Sequence, residues 1–278
     1  MTNNSQMINS QPVTAFCIES YGTRLRVESN DTSVLADARR VVEKALLGNL
    51  TEIECGLAEH CFSLQMDEEG ICRIIQDGVQ MSFGKPDYRF WKFFDSLARI
   101  LVGEFAKEFA FIHSGVVAWK GKAILLPAHS FKGKTTLVLE LARLGAEYYS
   151  DEYAVIDTRG LVHPFARPLS VRTRVGEVVE TDVRPEHLDI RVGKEPVTVS
   201  TVLFTGFQHD AEWRPRPLSV GQASMRMIEY ALAARRSPAM VISAVSSALA
   251  VARAYESPRG EAEAFARFFL EIVDKSSI

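Results

Sequence analysis

Residues 122–144 read KAILLPAHSFKGKTTLVLELARL, and this stretch constrains the fold more than any other. KAILLP, at 122–127, is almost wholly apolar, as a buried central strand is. The segment 134–144, KTTLVLELARL, places Leu137, Leu141 and Leu144 on one side of a helix, and Gly145 supplies its stop. Between them lies a short loop that ends Gly133-Lys134-Thr135. A buried strand running through a loop directly into a helix is an α/β element. Its loop presents backbone N–H groups at a helix N-terminus, where anions are favoured.

The flanking segments extend the pattern. Residues 111–119 (FIHSGVVAW) read as a strand that turns at Lys120-Gly121 into 122–127. Residues 146–157 (AEYYSDEYAVID) read as one strand with Asp151 and Glu152 in its middle, followed by a turn at 158–160 and a return through LVHPFARPLSVR. Upstream, 13–29 read as two strands about Tyr21-Gly22, 33–48 as a helix ending near Gly48, and 51–83 as short strands between polar turns. In DYRFWKFFDSLARILVGEFAKEFA, Phe90, Phe94, Leu97, Leu101 and Phe105 recur at helical spacing, with Pro86 marking the start. The aromatic cluster there reads as packing and not as a ligand box. The expected organisation is a disordered tail over 1–12, a small α+β module over 13–85, a connecting amphipathic helix over 86–110 and an α/β domain over 111–278.

Composition removes several classes. With 278 residues, 47% hydrophobic, 24% charged and a net charge of −3, the chain has length for a sizeable core and no basic stripe for nucleic acid. No apolar run reaches the roughly 18 residues of a membrane helix. The first dozen residues lack an apolar signal core, which points to the cytoplasm. Cys17, Cys55, Cys61 and Cys72 contain no C-x-x-C and read as buried, reduced thiols. A zinc site from Cys55, His60, Cys61 and Cys72 is the alternative, with a spacing that fits no usual pattern.

The loop is an incomplete phosphate loop. The G-x-x-x-x-G-K-[ST] pattern is intact at Gly133, Lys134 and Thr135, while Ala128 stands for its first glycine and Phe131 for another common one. Alanine held at φ > 0 is strained by about 1–2 kcal/mol. A Phe131 ring has to point out of the loop. Ala128, His129, Ser130, Phe131, Lys132, Gly133, Lys134, Thr135 and Thr136 are the candidate nucleotide-binding residues. Lys134 would reach the terminal phosphates, and Thr135 would offer a hydroxyl to magnesium. Asp151, with Glu152 beside it, would hold the metal or take a proton. Arg167, Arg172 and Arg174 suit phosphate or carboxylate recognition, or a solvated edge equally well. His163 and His187 read as surface residues.

FIHSGVV…KAILLPAHSFKGKTTLVLELARLGAEYYSDEYAVID resembles the catalytic core of the HPr kinase/phosphorylase family over residues 111–157. The likeness continues more loosely through PLSVR, FQHDAEWRPRPLSVGQASMRMIEYAL and RAYESPRGEAEAFARFFLEIV. It implies a phosphoenolpyruvate-carboxykinase-type P-loop fold, ATP and Mg2+ as cofactors, and transfer to a hydroxyl of a protein, peptide or small molecule. It also implies His113 as the active-site histidine, Lys134 as the phosphate lysine, Thr135 as the metal hydroxyl and Asp151 as general base. Glu152 stands where the family has a second aspartate. The glycine-rich segment that handles HPr has no match, RTRVGEVVE occupying 172–180, and Gln222 stands for a family arginine. The family includes homohexamers, so a homo-oligomer is a further expectation. Two other readings remain open: a nucleotide-binding regulatory or scaffold protein without turnover, and a small-substrate carboxykinase.

Overall fold

The computed structural model describes residues 13–128, 132–175 and 177–275, and for 170–181 the backbone alone. The tail expected over 1–12 lies outside the described residues. The chain is a mixed α/β protein that divides into two compact units, to Val102 and from Gly103.

The first unit holds β1 (Thr14–Ser20), β2 (Thr23–Ser29), α1 (Thr32–Ala45), β3 (Thr51–Glu52), β4 (His60–Met66), β5 (Cys72–Gln76), β6 (Val79–Gly84) and most of α2 (Tyr88–Phe105). Its six strands form one mixed sheet in the order β3-β1-β2-β4-β5-β6. The Tyr21-Gly22 turn joins β1 to β2, and both residues take left-handed backbone. Asp31 caps α1 by accepting from the amides of Ser33 and Val34. Asp87 does the same for α2 through the Phe90 amide, one residue after Pro86. The α2 stripe buries Phe94 edge-on against Phe62, so within this unit the aromatic cluster packs as its period requires.

The reduced-thiol reading fails for two cysteines. Cys17 and Cys55 form a disulfide, with Cα atoms 5.1 Å apart. The short β3 pairs with β1, Glu52 opposite Ile18, and carries the turn at Cys55–Leu57 back beside Cys17. Cys61 and Cys72 are free thiols, and burial raises both, Cys72 to about 12. Among the described residues no group of three or more His, Cys, Asp or Glu is placed to hold a metal, so the zinc alternative is also set aside. His60 instead bonds Asp77, with Nδ1 2.9 Å from Oδ2. No helix among the described residues is long and apolar enough to cross a membrane.

The second unit holds β7 (Phe109–Trp119), β8 (Lys122–Pro127), α3 (Lys134–Arg143), β9 (Glu147–Ser150), β10 (Tyr153–Asp157), β11 (Leu161–His163), β12 (Leu169–Val175), β13 (Glu177–Val183), β14 (Val197–Phe204), β15 (Arg216–Leu218), α4 (Val220–Glu229), α5 (Pro238–Leu249), β16 (Arg253–Glu256) and α6 (Ala262–Lys275). Eight strands form a mixed sheet whose path is β11-β10-β7-β8-β14-β16-β15, with β9 also on β7. Strands β12 and β13 form a separate hairpin.

Alternation along the strands covers both sheet faces. Val116, Ala118, Ala123 and Leu125 share a core with Met227 of α4 and Val241, Ala244 and Val245 of α5. Val117, Ile124 and Leu126 share another with Leu137 and Val138 of α3 and Phe265 and Phe269 of α6. A strand apolar on both faces, such as β8, is stable only with cover on each side. Gln222 closes a capping box with Ser219 at the start of α4.

Candidate functional site

The site forms where β8 hands over to α3. Gly133 caps α3 with φ 76° and ψ 21°, the left-handed region that glycine alone occupies cheaply, and no side chain caps this end. Ala128 would be strained only at positive φ, and it does not adopt that conformation. It is buried, and its methyl costs nothing in backbone conformation. His129, Ser130 and Phe131 lie outside the described residues. Lys132 and Thr136 are exposed, and Gly133, Lys134 and Thr135 are half-buried.

Strand β7 supplies the histidine. His113 pairs with Tyr153 of β10, and its amide donates to the Tyr230 carbonyl. Its Nε2 lies 2.8 Å from Lys134 Nζ, which also donates to the Ala128 carbonyl at 3.3 Å. A lysine ammonium only donates, so His113 Nε2 is the acceptor while Lys134 is charged. Gly115 makes the approach possible. A Cβ there would sit 2.6 Å from Val138 Cγ2 and 3.0 Å from Lys134 Cγ. Gly115→Val is expected to lower unfolding stability by about 1–3 kcal/mol through overpacking. Chemical denaturation reads this, and an unchanged midpoint would mean that α3 shifts away freely.

The segment expected as one strand through the acids is two strands. β9 and β10 both pair with β7 and are interrupted at Asp151-Glu152. Ser150 Oγ accepts from the amides of Glu152 and Tyr153, and the Glu152 carbonyl accepts from the Ser114 amide. A carboxylate inside a continuous buried ladder would be unpaired. The interruption instead turns Asp151 toward α3, where Thr135 Oγ1 donates to its Oδ2 at 3.3 Å.

Tyr148 is the site residue that sequence reasoning missed. Its fully buried hydroxyl lies 3.1 Å from Asp151 Oδ1 and 2.9 Å from the Arg167 carbonyl. The Tyr148 hydroxyl is the donor toward both acceptors, its one proton shared between the Asp151 carboxylate and the Arg167 carbonyl. Asp151 is 9% exposed, and burial, followed by the Glu152 charge, raises its carboxyl to about 6; Tyr148, Lys134 and Thr135 pull it partly back. Burial lowers Lys134 to about 8 against the opposing pull of Asp151 and Glu152. Two groups of opposite charge are thus pushed toward neutrality side by side, as happens where proton or phosphate chemistry is arranged.

The arginines separate. Arg167 is 8% exposed, and its Nε lies 3.9 Å from Glu152 Oε2, so it belongs to this cluster and not to a solvated edge. Arg172 and Arg174 sit on β12 opposite Glu180 and Val178, and their side chains lie outside the described residues. His163 is no isolated surface residue. Its Nε2 lies 3.1 Å from Asp157 Oδ2, inside the turn that Asp157 also anchors through the amides of Arg159 and Leu161. His187 is exposed, as expected.

The chain matches no model of a known protein family and no curated protein. The reading of this site therefore stands on its residues and their geometry.

Proposed function

We propose that this chain is an ATP-dependent phosphotransferase of the HPr-kinase-like kind, moving the γ-phosphoryl group to a serine-type hydroxyl of a peptide, protein or small molecule. One observation carries the reading: at the start of α3, Lys134 meets His113 while Thr135 meets Asp151. A phosphate-loop fold of the phosphoenolpyruvate-carboxykinase type would place those four residues in that way.

In this reading the amides at the start of α3 and the Lys134 ammonium bind the phosphates. The acceptor oxygen forms a bond to the γ-phosphorus as the bond to the β-bridging oxygen breaks, and ADP leaves with that electron pair. Asp151 takes the acceptor's proton, and Tyr148 and Thr135 hold the carboxylate in place. His113 fixes the Lys134 ammonium. The Thr135 hydroxyl and the Asp151 carboxylate, with Glu152 adjacent, are hard oxygen donors that fit Mg2+, which needs few protein ligands when phosphates share it. Bound there with ATP, Mg2+ would neutralise charge on the β- and γ-phosphates. Arg167 lines the same cluster, and it is the arginine on which an acidic acceptor group would be recognised.

Calorimetry of ATP with and without Mg2+, with ADP release followed in the same samples, tests the proposal. Binding in the range of about 1 μM to 1 mM with slow ADP release supports it. Binding with no release under any acceptor would instead favour the scaffold reading, and no binding would end both.

A pH profile adds a second check. Asp151 must be ionised and Lys134 protonated, so kcat/KM is expected to rise through about pH 6 and fall through about pH 8. A profile flat from pH 5 to 9 would remove both groups from the rate-determining events.

A further inference from the structure

Strands β8, β14 and β16 are neighbours and run parallel, so all three C-terminal ends emerge at one edge of the sheet. Ligands of open α/β sheets bind outside such ends. The loop at 128–133 leaves the first strand, residues from Thr205 leave the second, and residues from Ser257 leave the third. The latter two are tied together: the Arg259 amide donates to the Gly206 carbonyl, and the Gln208 amide donates to the Arg259 carbonyl.

This pair of segments holds Lys132 and Gly133 through their carbonyls. The Phe207 amide donates to the Lys132 carbonyl at 3.1 Å, and Arg259 Nη2 donates to the Gly133 carbonyl at 2.7 Å. Gly133 leaves just enough room, since a Cβ there would lie 2.9 Å from Arg259 Nη2 and 3.3 Å from Phe207 Cβ. Arg259 is 2% exposed, no carboxylate lies within ion-pair distance of it among the described residues, and burial lowers its pKa against the opposing charge of Glu261. A buried guanidinium without a carboxylate partner is costly. Among the described residues, the two buried side-chain polar atoms without a partner are Arg259 Nε and Thr205 Oγ1, and both belong to these segments.

The geometry gives that cost a purpose. A trans peptide points its carbonyl and the following N–H in opposite directions, and no cis bond occurs among the described residues. The Gly133 carbonyl also accepts from the Leu137 amide at 3.2 Å, the first bond of α3, so Arg259 and α3 fix it together; with the Lys132 carbonyl held by Phe207, the Gly133 and Lys134 amides point away from these partners. Gly133 in left-handed backbone followed by helical Lys134 makes these two amides a concave anion-binding nest.

We propose that Arg259, with the Phe207 amide, is a clasp that presets the Gly133 and Lys134 amides for a di- or triphosphate; Arg259 is a positioning residue and does not touch the ligand. This rests on the phosphate-binding reading above. Because the clasp acts on amides that meet phosphate, its loss weakens ATP, ADP and inorganic pyrophosphate by the same factor.

The test is calorimetry with these three probes on the full chain, wild type against Arg259→Met and Arg259→Lys, with melting curves alongside. The clasp predicts affinities about tenfold or more weaker in Arg259→Met, equally for all three probes, with partial recovery in Arg259→Lys. Folded Arg259→Met that binds pyrophosphate like wild type overturns the clasp while leaving the phosphotransferase reading standing. Should Arg259→Met not fold, amide hydrogen exchange on the wild type decides. Pyrophosphate must then slow exchange at Gly133 and Lys134, and unchanged exchange there overturns the proposal. A wild type that binds none of the probes overturns the clasp and the reading beneath it together.

Discussion

Asp151→Asn is expected to slow phosphoryl transfer by about 10²–10⁴-fold while ATP affinity stays near that of the wild type. The side chains are isosteric, so the contacts to Thr135 Oγ1 at 3.3 Å and Tyr148 OH at 3.1 Å keep their geometry. What disappears is the group that accepts the proton. The rising limb near pH 6 should vanish from the residual activity, because that limb belongs to Asp151. Stability should move the opposite way. The folded state holds the Asp151 proton more tightly than the unfolded chain does, so this carboxylate lowers stability as pH rises from its ordinary value to about 6. Asp151→Asn should therefore melt higher than wild type at pH 7 and show no such gain near pH 4. ADP release with serine-ended peptides, together with melting curves at the two pH values, reads both effects. Transfer at near wild-type rate would remove Asp151 as the base.

Lys134→Met is expected to weaken ATP binding by at least about 100-fold, a loss of roughly 2.7 kcal/mol. Methionine preserves the stem that runs against Gly115 and removes the ammonium that sits between His113 Nε2 and the Ala128 carbonyl. The fold should not suffer. Burial lowers Lys134 to about 8, so its charge costs stability below that pH, and the cost is relieved as pH rises from about 8 toward the lysine's ordinary value. The variant should accordingly be at least as stable as wild type at pH 7. Calorimetry paired with thermal melting separates the two effects. Retained ATP affinity in a folded Lys134→Met would mean that the β8–α3 loop is not a phosphate site.

These two variants probe residues legible in the linear chain. Gly133, Lys134 and Thr135 stand at the head of a helix that follows an apolar strand, and local periodicity places both elements. Turns were equally plain. Tyr21-Gly22, Asp77-Gly78 and Lys120-Gly121 each take left-handed backbone at both residues, where glycine and a short turn announce themselves.

Tertiary structure decided what depends on distant partners. The break between β9 and β10 follows from pairing with β7, because only there must a buried ladder dispose of Asp151 and Glu152. The Cys17–Cys55 bond needs β3 to fold back on β1, which nothing in the spacing of four cysteines signals. Tyr148 looked like one apolar strand residue among several until the chain brought its hydroxyl to Asp151 and the Arg167 carbonyl. Arg259, in SPRG, carries no signal in the sequence and is buried against Gly133, far away along the chain. The sequence by itself determined the elements, since helix and strand periods and glycine turns are properties of neighbours. Which polar groups lose water and which carbonyls they hold is a property of the packed sheet, so the contacts of Lys134, Asp151 and Arg259 could be read only after β7, β8, β14 and β16 were side by side.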